Sequence, residues 1–243
     1  MPIYTGVADA NGDFTVPFSS NYTGGQKVTV TAEKDSATKT IELFAPSSVI
    51  GGGVIQFSGT LTNFPFNIGV ITLSELTGAI ANTAFDSSSG NNLFGKATGL
   101  DMSNTVVSQV GRASFQSWRA AISLILPSTL TYVDAYGFTG WIALQELIIP
   151  DSCVGAGSSS FSGMTALKKL TLGTSFINVA DYAFSGMASL DEMIVKRTTP
   201  PNIHSTTFDS MKSTCIIKVP AESVAAYKAA SGWSAFASRI QAI

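Results

Sequence analysis

This chain is poor in charge, has a single histidine and only two cysteines. Lys and Arg number 14 and Asp and Glu 16 among 243 residues, so 12% of the chain is charged. That is about half of the ~25% usual for soluble domains. The net charge is −2, and no basic run is present to neutralise phosphates, which argues against nucleic-acid binding. No stretch approaches ~18 uninterrupted apolar residues, so no transmembrane helix and no membrane insertion are expected. The opening Met1-Pro2-Ile3-Tyr4 lacks the charged and apolar regions of a signal peptide.

The same scarcities restrict chemistry. A Ser-His-Asp triad would have to use His204, which lies in the Pro-rich run from Thr199 to Thr206 with no nucleophile elbow beside it. Paired carboxylates do not recur at matched positions, so a glycosidase pair is not expected. Asp191 and Glu192 are adjacent, which sends their side chains apart. Asp9, Asn11 and Asp13 alternate like the first ligands of a calcium loop, but the downstream bidentate glutamate is missing and a plain turn accounts for them. Gly51-Gly52-Gly53 lacks the Lys-Ser/Thr of a phosphate loop and reads as linker. The expectation is therefore a protein with no catalytic residues, no cofactor and no metal site. Hydrophobic residues reach 45% and glycines 22, so Ser, Thr, Asn and Gly must cover the surface. Weakly charged surfaces of this kind suit β-rich extracellular or virion proteins.

What the chain does have is a period. Phe115, Phe138, Phe161 and Phe184 stand 23 residues apart, and Phe208 follows after 24. Three residues after each comes Trp118, Trp141, Met164, Met187 or Met211. A fixed period of ~20–50 residues marks a solenoid of stacked supersecondary units. Aligned on phenylalanine, each unit carries an apolar-x-apolar strand: Leu124–Leu126, Leu147–Ile149, Leu170–Leu172, Met193–Val195 and Ile217–Val219. A third apolar position recurs at Val110, Val133, Ala156 and Val179. Ile71, Leu73, Ile80 and Phe85 keep the same spacing upstream. The gap from Phe85 to Phe115 is 30, one period plus an insertion of 7, which the Ser87–Asn92 tract supplies. Alternate strand residues point inward, no unit buries its own apolar face, and neighbours stabilise one another. Cys153 and Cys215 fall at different repeat positions, so two buried thiols are expected and not a disulfide.

Residues 1–47 read differently. Asn11-Gly12 is a hairpin signal between two strand-like runs. Lys27–Glu33 and Thr38–Phe44 alternate around a Lys34-Asp35-Ser36 turn, completing a four-strand antiparallel pattern. Residues 8–46 resemble the second half of bacterial immunoglobulin-like modules, as found in phage tail and bacterial surface proteins, without the front strands. An incomplete sandwich leaves a strand edge unpaired, expected to pair with a partner chain, a neighbouring subunit or the solenoid's own end. Residues 46–53 form a linker, and residues 48–243 form the solenoid. Its cap spans 220–243: a short helix from Pro220 to Gly232, with Val224, Tyr227 and Trp233 on the last repeat and Phe236, Ile240 and Ile243 completing the plug.

Three elements carry a resemblance: Ala183-Phe184-Ser185-Gly186-Met187-Ala188-Ser189-Leu190, Ile148-Ile149-Pro150, and the ending from Val219 to Trp233. Over roughly residues 70–243 the chain resembles the BspA-like leucine-rich repeat family. The resemblance implies a mostly β, right-handed solenoid with one parallel sheet and a binding role, since known members are bacterial surface proteins and many are adhesins.

The central strand residues Ile125, Ile148, Thr171, Ile194 and Lys218 are expected to face outward, flanked by Ser123, Glu146, Lys169 and Glu192. This sheet face is one candidate binding surface. The other is the Ser/Gly-rich rim at 151–160 with Tyr132, Tyr136 and Tyr182. Trp118 and Trp141 read as core and not as a sugar platform. The expected function is recognition or attachment within a phage virion, as a tail fibre, whisker or receptor-binding element. The alternatives are a BspA-like surface adhesin and a structural decoration protein. Expected partners are virion or surface proteins on the N-terminal segment and a host cell-surface protein or glycan. A homo-oligomer is compatible with this reading.

Overall fold

The structure, a computed structural model, describes residues 68–88 and 94–243, together with the backbone of four earlier strands. Those four are β1 (Phe14–Pro17), β2 (Lys27–Lys34), β3 (Ala37–Phe44) and β4 (Val54–Phe57). β2 and β3 form the antiparallel pair that their alternation predicts, with Lys27 opposite Phe44 and Lys34 opposite Ala37. β1 pairs antiparallel with β4, and β4 with β5 (Val70–Ile80), the first solenoid strand. The immunoglobulin-like reading otherwise lies outside the described residues, as do the Asp9–Asp13 turn and the 46–53 linker.

From β5 onward the repeat builds two parallel ladders, where the resemblance implies one sheet. The strands run β6 (Gly99–Val110), β7 (Ser123–Ile125), β8 (Tyr132–Val133), β9 (Glu146–Ile148), β10 (Gly155–Ala156), β11 (Lys169–Leu172), β12 (Asn178–Val179), β13 (Glu192–Val195), β14 (Asn202–Ile203) and β15 (Ile216–Val219). The apolar-x-apolar segments form one ladder, β9-β11-β13-β15. The recurring third position (Val110, Val133, Ala156, Val179) forms a second, β6-β8-β10-β12-β14. A lone buried apolar residue per repeat gives no alternation, so the sequence marks the site as core but not as strand. In the first two units a single long strand spans both ladders: β5 and β6 pair in parallel along their length.

The insertion is also divided. Ile71 pairs with Leu100, 29 residues on, whereas Ile80 pairs with Val110, 30 on. One extra residue is thus absorbed as irregular register within the strand pair, and the rest lies before Gly99. Leu100 and Met102 are the buried apolar-x-apolar pair of this unit.

The phenylalanines stack face to face through the interior. From Phe85 to Phe208, five successive centroid distances lie between 5.0 and 5.7 Å, with planes within 16° of parallel. Trp118 and Trp141 form a second stack at 5.4 Å, continued by buried Met164 and Met187. Each indole N–H donates to the carbonyl of the preceding repeat's phenylalanine: Trp118 Nε1 to Phe85 O at 2.8 Å and Trp141 Nε1 to Phe115 O at 2.7 Å. A buried tryptophan needs such a partner. Met211, expected in this column, is only half-buried. Gly140, Gly163 and Gly186 sit just before the column with φ of +82, +74 and +77°. A residue without Cβ adopts that conformation at least cost, which explains the glycine of the Phe184-Ser185-Gly186-Met187 run.

Leu147, Ile149, Leu170, Leu172, Met193, Val195, Ile217 and Val219 are buried as alternation requires. Cys153 and Cys215 are buried free thiols. The cap begins with a single 3-10 turn, Ala221–Ser223, followed by α1 (Val224–Ala229). Tyr227 and Trp233 are fully buried. Tyr227 donates its hydroxyl to Arg197 O and Trp233 its indole N–H to Pro201 O, both at 2.8 Å. A final strand, β16 (Ile240–Ala242), adds in parallel to β15. The expected plug residue Ile243 is 66% exposed. Ile240 is the inward residue of β16, and the chain has passed the core by its last position.

Candidate recognition surface

The outward residues of the β9–β15 ladder come together in register. Ile148 pairs with Thr171, Thr171 with Ile194, and Ile194 with Lys218. Beside them Glu146, Lys169 and Glu192 form a second row in the same pairings. Lys169 Nζ lies 4.0 Å from Glu146 and 3.8 Å from Glu192, and Lys218 Nζ lies 2.6 Å from Glu192. Asp191 turns the other way to Lys212, whose hydrogen bond holds its carboxyl below the usual carboxylate range. The two adjacent carboxylates therefore diverge, as their adjacency requires.

Two of the expected outward residues behave differently. Thr171 is only 7% exposed: a short side chain between two isoleucines in register is covered by them. Ile125 lies on a strand, β7, that packs beside β9 but, among the described residues, shares no ladder pairing with it. β7 pairs with β6, placing Ile125 opposite Asp101. Among the exposed apolar residues, which also include Val106, Val154, Ile177 and Ile216, three lie on or beside β7 and β9. Ile122 is 61%, Ile125 49% and Ile148 54% exposed, and Leu124 and Leu126 are only partly buried. Exposed apolar side chains on a folded surface are candidates for an interaction site. Its signal in the sequence is the isoleucine column.

The second candidate divides as well. Tyr132 lies on β8 in the second ladder and is half-exposed. Burial and the neighbouring Asp134 push its hydroxyl pKa up. Tyr136 sits under the Arg112 guanidinium, 5.0 Å from its ring centroid. Tyr182 is exposed in the equivalent turn, and both turn tyrosines have φ near +60°. The 151–160 run is mostly structural: Cys153, Gly155, Ala156, Gly157 and Ser160 are buried. His204 Nδ1 lies 3.1 Å from Asp181 Oδ1 on an exposed edge. Among the described residues no group of three or more His, Cys, Asp or Glu side chains is placed to hold a metal. No described helix is long and apolar enough to cross a membrane.

Comparisons place this architecture. Residues 108–228 match the model of the BspA type leucine rich repeat region in six copies. The pneumococcal vaccine antigen PcpA superposes with a TM-score of 0.58 at 22% identity, covering 77% of this chain and 44% of that one. The present chain thus spans less than half of the pneumococcal chain. A Treponema pallidum leucine rich repeat protein gives a TM-score of 0.47 at 16% identity, over 68% of this chain and 81% of that one. A leucine-rich repeat protein from Eubacterium ventriosum gives 0.44 at 14%, over 82% and 55%. No curated protein matches the chain in sequence. The repeat region of this chain, residues 108–228, belongs to the BspA-type leucine-rich repeat family.

Proposed function

We propose that this chain is a non-enzymatic recognition protein of a cell surface, acting in adhesion, and that it engages a protein partner through the outer face around Ile125 and Ile148. The single observation that carries this reading is the exposure of Ile125 and Ile148 on the neighbouring strands β7 and β9. The neighbouring Glu146–Lys169–Glu192 row, with its ion pairs satisfied within the chain, supplies a polar rim beside an apolar centre, the usual anatomy of a protein interface. Family membership and the shared fold of a pneumococcal vaccine antigen agree with a surface location. The phage-virion expectation rests on the N-terminal segment, and no comparison favours it.

The test is a titration of fluorescently labelled chain onto intact animal cells and bacteria, before and after the cells are shaved with trypsin. Saturable binding that trypsin removes supports a protein receptor on the cell. Binding to neither cell type would leave a structural role as the better account.

A further inference from the structure

We draw no further inference here: the strongest candidate, the exposed surface patch of Val154 and Ile177 immediately before β10 and β12 of the second ladder, where the Ile177 N–H donates to Val154 O at 2.9 Å, is an unpartnered apolar face, and nothing in the structure shows what covers it.

Discussion

Phe94 stacks flat on Trp118, with ring centroids 5.7 Å apart and planes 4° from parallel. It also meets Phe85 edge-on at 5.3 Å and 80°. Trp118 meets Phe115 at 5.5 Å and 77°, and Trp141 meets Phe138 at 5.7 Å and 73°. Phe94 therefore fills the place that later repeats fill three residues after their phenylalanine, where this unit has Ser88. The insertion moves the aromatic residue along the chain without removing it from the stack.

Truncating either stack should be costly in proportion to its burial. Phe138→Ala and Phe161→Ala are expected to destabilise by about 3–5 kcal/mol, and Phe94→Ala by about 3 kcal/mol, at the low end for large aromatic truncations. Urea unfolding followed by circular dichroism checks the order. A Phe94→Ala variant as stable as wild type would remove Phe94 from the stack.

Trp141→Phe keeps an aromatic ring but deletes the N–H that reaches Phe115 O. A buried carbonyl left without its donor should cost about 1–3 kcal/mol. A midpoint unchanged in urea would show that water replaces the indole.

Gly173 follows β11 directly, and a Cβ there would stand 2.6 Å from Pro150 C and 2.7 Å from Asp151 Cα, both backbone atoms. Gly173→Ala must push two adjacent repeats apart and is expected to destabilise by about 1–3 kcal/mol. Thermal melting of this variant beside Thr174→Ala, an exposed control at the next position, separates the clash from a general loop effect.

Much of this is legible in the sequence because the repeat enforces it. The 23-residue spacing of Phe115 to Phe184 decides which residues stack, and alternation in Leu147–Ile149 and Leu170–Leu172 decides which are buried. Legibility fails where the period breaks. Leu100, Met102 and Phe94 fall out of frame because the insertion separates them from Phe85. β16 carries one buried residue, too little for a pattern. Of the candidate surface, counting alone places Ile148, Ile194, Lys218, Glu146 and Lys169 on one face. The covering of Thr171 and the pairing of Ile125 with Asp101 depend on which strands meet, and spacing does not reveal that.

Burial pushes the Cys153 and Cys215 thiols up to about 11, above the ~8.5 of an unfolded cysteine. The folded state thus holds these protons more tightly. This contribution to stability is complete below about pH 8.5 and is lost as pH rises toward 11. The urea midpoint should fall across that window and fall less in a Cys153→Ala, Cys215→Ala chain. Native thiols should also react slowly with a disulfide reagent at pH 8.

The most direct test of the recognition face is cell binding by wild-type and Ile148→Glu chains, measured side by side with their thermal melts. Ile148 is 54% exposed, so a carboxylate there should leave the melt unchanged and abolish saturable binding. An Ile148→Glu chain that folds and binds as tightly as wild type would contradict the assignment of recognition to this face.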